Sequence, residues 1–264
     1  MKKLFSILLL CLSLFSCSEF QKAYKTEDPV IKYDLATKLF ETGKYSKAIR
    51  LFEQLAPTYR GKPQSEKMFY MYAMSFYKSK QYYVAAGRFE SFVASYPKSE
   101  KAEEAVFLDA LSTSKLSPIY SLDQVETVKG IDKMQNFINT YPISTNLPEA
   151  NETVKRLREK LEKKAFEIAF QYNKISDHKA ALVSLDNFLI DYPGTPFKEK
   201  ALYYRFDSAY IVAENSYTNL MEERLKDARI CYNNLIKFNP NTTYKAKADK
   251  MLEQIEKDLK QFSK

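Results

Sequence analysis

Residues 85–97 read AAGRFESFVASYP. The small residue Ala85 is followed by Phe89 and Phe92, steps of 4 and 3 that place all three on one face of a helix. Tyr96 comes eleven residues after Ala85, and Pro97 then forbids further helix. The same frame recurs in KAIRLFEQLAPTYR (47–60), GIDKMQNFINTYP (130–142), AALVSLDNFLIDYP (180–193) and ARICYNNLIKFNP (228–240). The small and large residues are Ala48/Phe52/Leu55, Gly130/Met134/Phe137, Ala181/Leu185/Phe188 and Ala228/Tyr232/Leu235. An apolar, alanine-containing stretch precedes each segment: Val30–Glu41, Ser65–Ser79, Lys101–Leu116, Glu149–Asn173 and Lys198–Ser216. The unit is therefore helix–turn–helix. One such pair cannot bury its own apolar stripe, so pairs must stack.

Composition agrees. The 264 residues include only 5 Gly and 10 Pro against 20 Tyr and 18 Phe, too few turn formers for an all-β sandwich. With so little glycine, the glycine-rich phosphate cradles are absent, and a single His leaves no His-rich metal site. No nucleophile with an activating partner stands out, so the chain reads as a non-enzyme without cofactor or metal. The formal charge of +8 invites a nucleic-acid reading, but residues 17–150 hold 18 basic and 16 acidic side chains, well mixed. Interspersed charge is a solvated helix surface, not a phosphate-binding face.

The chain opens MKKLFSILLLCLSLFSC. Lys2 and Lys3 precede a largely apolar run, Leu4 to Phe15, too short to span a bilayer and suited to an export signal. Leu14-Phe15-Ser16-Cys17 resembles the bacterial lipobox, which places cleavage after Ser16 and acyl chains such as palmitate on Cys17. The alternative is an ordinary secretory signal with Cys17 incidental. The expected organisation is a signal peptide over 1–16, a polar tether over 17–29 reaching at most roughly 40 Å, and a repeat domain over 30–264. Cys11 leaves with the signal and Cys17 is acylated, so Cys231 is left without a disulfide partner and reads as a small buried hydrophobe.

Small residues at the helix crossing, a bulky residue four later and a closing proline resemble the tetratricopeptide repeat. The fold expected is an all-α tetratricopeptide-repeat solenoid of about five units. The Lys/Glu-rich segment from Thr243, with Thr243 as helix cap, closes it. An exported lipoprotein of this kind is similar to the BamD family, lipoproteins of the outer-membrane β-barrel assembly machine. The fourth repeat carries most of the likeness, from Leu157-Arg-Glu-Lys-Leu161 through Ala165, Ala169 and Tyr172 to Ala180-Ala181 and Asp191-Tyr-Pro193. The resemblance implies a lipid-anchored scaffold on the periplasmic face of the outer membrane. Its implied partners are the periplasmic domains of a BamA-like insertase and unfolded outer-membrane proteins. It implies no nucleic acid and no membrane contact beyond the anchor. A periplasmic tetratricopeptide adaptor for other envelope or cell-wall proteins is the alternative.

In such stacks the first helix of each pair lines a groove. Tyr33, Thr37 and Phe40 in the first repeat and Tyr70, Met74 and Tyr77 in the second fall at groove positions. They read either as an aromatic groove for an extended peptide or as rings packed on the next repeat. The Lys/Asn pattern that clamps a peptide carboxylate is not matched at Tyr33, Thr37, Tyr70 and Met74. The aromatic density of the first two repeats suggests that they receive substrate and that later, more charged repeats dock the insertase. His178, beside Asp177 at a turn, reads as structural.

Overall fold

The computed structural model describes residues 19–262. A short helical stretch over residues 19–25 is followed by α1 (Pro29–Glu41), α2 (Tyr45–Tyr59), α3 (Ser65–Lys78) and α4 (Tyr82–Ser95). Then come α5 (Ala102–Lys115), α6 (Val125–Thr140), α7 (Leu147–Lys174) and α8 (His178–Asp191). The chain finishes with α9 (Lys198–Glu214), α10 (Thr218–Phe238), α11 (Lys245–Leu259) and a 3-10 turn. No strand occurs among the described residues. The five expected helix pairs run from α1/α2 to α9/α10, with α11 as the closing helix: a tetratricopeptide-type array.

Burial explains the repeated spacing. Ala48, Ala85, Ala181 and Ala228 are fully buried, and the large residues four and seven positions on, from Phe52 and Leu55 to Leu235, are buried too. Gly130 holds the corresponding position in α6, close against Ser114 and Leu157. A Cβ there would lie 3.1 Å from Ser114 Cα and 3.3 Å from Leu157 Cδ1.

The Tyr-Pro stop has a definite geometry. Tyr96, Tyr141, Tyr192 and Asn239 are the C-caps of α4, α6, α8 and α10, and their amides donate to the carbonyls of Phe92, Phe137, Phe188 and Leu235. Each tyrosine ring lies 5.3–5.5 Å from the ring of the phenylalanine four residues before it. Three residues after each cap stands a hydroxyl: Ser99, Ser144, Thr195 or Thr242. Each accepts from the amide two residues further on, at 3.0–3.3 Å, and so starts the next helix. The real signature is thus [Tyr/Asn]-Pro-x-[Ser/Thr]. In two repeats the hydroxyl also donates back to a glutamate at the second residue of that repeat's first helix: Ser99 to Glu66 at 2.6 Å and Thr242 to Glu199 at 2.5 Å. The cap expected at Thr243 is corrected accordingly. α11 starts at Lys245 with Tyr244 as its N-cap, and Thr242 makes the turn because its hydroxyl, not that of Thr243, faces the Tyr244 amide.

Inside the pairs, three turns share one form. Gly43, Lys80 and Ser176 all have positive φ, and the next amide reaches back to Leu39, Phe76 or Tyr172 at 2.8–3.0 Å. This left-handed helix ending favours glycine, which the sequence supplies only at Gly43.

The described residues fall into two compact units, 19–118 with 123–157, and 119–122 with 158–262. In the first, each helix from α1 to α6 packs on the next around Phe52, Met68, Phe89, Phe92, Met134 and Phe137. Phe20 and Ala23, placed by the sequence reading in an extended polar tether, belong to this core instead. In the second, α8 to α11 pack in series around Leu185, Phe206, Leu225, Leu235 and Ile255, with Phe166 and Ala169 of α7 against Ala181 and Phe188. Cys231 is buried here, its Sγ 2.7 Å from a guanidinium nitrogen of Arg205, which also pairs with Asp186. Burial pushes the Cys231 thiol up, as an inert core cysteine requires.

Candidate functional site

α1, α3 and the end of α4 enclose an open cleft of about 440 Å³ in the first unit. Its apolar surface comes from Phe40, Tyr70, Met71 and Phe92, and its charged rim from Glu41, Glu66, Lys67 and Lys101. Phe40 ends α1 with its ring edge-on to Tyr45, centroids 5.8 Å apart. Tyr70 is held edge-on to Phe92 at 5.6 Å and Phe89 at 6.3 Å, while the Lys101 ammonium lies 5.4 Å from its ring centre.

Burial raises the Tyr70 phenol far above its ordinary range, and its hydrogen bond to Glu104 adds to this. Burial alone would raise the Glu104 carboxyl too. The hydrogen bonds from Lys101 and Tyr70, with the charges of Lys101 and Lys78, outweigh it, and the carboxyl ends below its usual value. Lys101 pairs with Glu104 at 2.9 Å beside the Tyr70 ring, which gives the cleft a polar edge. On the other side of Phe92, a second cleft of about 710 Å³ carries Arg60, Lys62 and Arg88 beside Phe69, Tyr72 and Tyr96.

Of the six groove residues expected from sequence, the structure brings Phe40 and Tyr70 into one cleft. Tyr33 instead stacks flat on Tyr59, centroids 5.2 Å apart. Tyr77 is edge-on to Tyr82 and Phe89, and Met74 packs on the core beside it; both are half-buried. The Thr37 hydroxyl is buried without a hydrogen-bond partner among the described residues. The sequence does not place Met71 in the groove and gives Phe92 to the buried face of its helix, where it is buried while also lining the cleft. Met71 directly follows Tyr70, and Phe92 comes from a second helix, which the rule that first helices line the groove leaves out. Cys17, the lipid-attachment residue expected from the sequence, lies outside the described residues.

In the second unit, His178, Lys179 and Arg224 border a cleft of about 470 Å³ with Ile211, Tyr217 and Leu220. Asp177 is occupied as the N-cap of α8, accepting from the Ala180 amide at 3.1 Å, and His178 Nδ1 is 3.5 Å from Ser208 Oγ. Among the described residues no group of His, Cys, Asp and Glu is placed to hold a metal ion, and no helix is long and apolar enough to cross a membrane.

Stacked helix pairs with a closing helix define an all-α helical-repeat protein, here carrying an aromatic, charge-rimmed cleft. The particular family follows from comparison. The sequence model of the YfiO family, described as outer membrane lipoprotein, matches residues 26–216 and 162–262, and the chain belongs to that family. It is also similar to a protein of Aquifex aeolicus (strain VF5) that carries the name outer membrane protein assembly factor BamD. The two are 29% identical over 162 residues, covering 61% of this chain and 51% of that protein. The chain thus spans about half the length of that curated relative.

Proposed function

We propose that the protein is a non-enzymatic scaffold of the outer-membrane β-barrel assembly machinery. In this reading, residues 1–16 are a signal peptide and acyl chains on Cys17 hold the protein to the periplasmic face of the outer membrane. The first unit receives unfolded barrel precursors, and the second docks the periplasmic domains of a BamA-like insertase. The observation that carries the reading is the family match, which runs through both units from residue 26 to 262. The name of the Aquifex relative supports it.

The chemistry of the first-unit cleft fits the role. The half-buried rings of Phe40 and Tyr70, over a floor of buried Met71 and Phe92, suit an aromatic side chain, and the exposed Lys67 offers a cation to an acidic group beside it. An extended, aromatic-ended segment such as a terminal barrel strand has both. The test is binding of a fluorescent peptide from such a strand. Phe40→Ala and the exposed-rim change Lys67→Glu should each weaken it roughly tenfold, as expected for losing a contact of about 1.4 kcal/mol. Unchanged affinity in both variants, with folding intact, would remove this cleft from the account.

A further inference from the structure

A polar tether over residues 18–29 would let the folded domain float tens of ångströms from its anchor. The structure replaces most of that tether with a docked helix. Residues 19–25 are helical, and Phe20 and Ala23 are 5% and 2% exposed, inside the core of the first unit. Tyr24 stacks on Phe20 at 5.8 Å. The Arg50 guanidinium of α2 sits 5.5 Å from the Phe20 ring centre and 4.7 Å from that of Tyr24. Lys47 Nζ lies 5.5 Å from Phe20, and Glu19 pairs with Lys38 of α1 at 3.0 Å. This stretch caps the N-terminal edge of the α1/α2 pair, as a repeat array requires at an open end.

The chain length outside the docked helix then becomes decisive. Ser18 alone separates Cys17 from Glu19. Two Cα steps span at most about 7 Å, comparable to the depth of one headgroup layer, roughly 5–8 Å. Acyl chains buried in the bilayer would hold the Cys17 backbone at that layer, leaving the docked helix no slack with which to leave it.

The face so positioned is cationic. Lys22 and Lys25 are exposed on the docked helix, and Lys47 and Arg50 stand beside it, the latter fixed by the two rings. The acids of this stretch are Glu19, already paired, Asp28, which caps α1 through the Val30 amide, and Glu27. We propose that the N-terminal edge of the first unit, residues 19–25 with Lys47 and Arg50, rests on the membrane and contacts the phosphates of phospholipid headgroups, held there by an anchor without slack. This rests on the reading that Cys17 is acylated.

The test uses the acylated full-length protein in vesicles of phosphatidylethanolamine and phosphatidylglycerol. A fluorophore is placed at Gln21→Cys in a Cys231→Ala background, and the vesicles carry a headgroup spin label as quencher. The label should be strongly quenched. A twelve-residue Gly/Ser insertion between Ser18 and Glu19, with a root-mean-square span of about 20 Å, should cut the quenching roughly threefold or more. The insertion lies ahead of the docked helix and leaves Phe20 and Ala23 in place, so the thermal midpoint serves as the folding control. An acylated protein whose label is not quenched overturns this inference alone, as does equal quenching with and without the insertion. Mass spectrometry showing an unmodified Cys17 overturns the anchoring reading together with it.

Discussion

Replacing Gly130 by alanine sets two known effects against each other at a close helix contact in the first unit. An alanine in the body of α6 gains about 1 kcal/mol of helix propensity over glycine. Its new methyl would lie 3.1 Å from Ser114 Cα, 3.3 Å from Leu157 Cδ1 and 3.4 Å from Ser114 N. Two of these three are backbone atoms in the last turn of α5, where the buried Ser114 hydroxyl donates to the Leu111 carbonyl at 2.7 Å. Leu157 is itself fully buried, so relief must come from moving a helix. Overpacking of this kind costs about 1–3 kcal/mol, which leaves Gly130→Ala destabilising by roughly 1 kcal/mol. Gly87 in α4 is the matched control, because a Cβ there meets nothing within 4 Å. Gly87→Ala should keep the whole propensity gain. For a chain of this size the two variants should shift the thermal midpoint in opposite directions by roughly 2–4 °C each. If Gly130→Ala is stabilised as much as Gly87→Ala, α6 does not approach α5 as described and the repeat frame is misplaced there.

Ala85→Leu or Ala181→Leu puts three extra carbons at fully buried crossings and should cost about 1–3 kcal/mol by thermal unfolding, with no loss in either variant counting against the frame. Glu199 is held below its ordinary 4.5 by the hydrogen bond from Thr242, then by that from Asn239. A depressed carboxyl stabilises the fold above its unfolded pKa and loses that contribution as pH falls through its folded value. Glu199→Gln should therefore cost about 1 kcal/mol at pH 7, with the gap to wild type closing below about pH 4.5; a gap that widens in acid would contradict the assignment. Cys17→Ala should give a protein that carries no acyl chain and leaves the membrane fraction, as fractionation and mass spectrometry would report.

The array is legible in the sequence because its spacing is set by helix geometry: a small residue at the crossing, large ones 4 and 7 later, and a proline where the helix must stop. Those residues are the ones buried, from Ala48 and Phe52 to Ala228 and Leu235. The turn hydroxyls were equally regular at Ser99, Ser144, Thr195 and Thr242, yet polar residues after a proline look like ordinary loop until their amide partners are seen. The docked helix was hidden by composition. Phe20, Ala23 and Tyr24 do recur at i, i+3 and i+4, but lysines and glutamates around them made the stretch read as a tether. The cleft was half legible. Phe40 and Tyr70 follow from the repeat register, whereas Phe92 enters from the second helix of its pair, which only side-chain packing reveals.

If this chain works within the barrel-assembly machinery, its partners should come with it on co-purification from detergent-solubilised envelopes. Tagged wild-type protein should carry with it a large β-barrel protein bearing periplasmic domains, together with unfolded barrel precursors. Recovery of soluble cell-wall enzymes in the absence of any such barrel protein would contradict it.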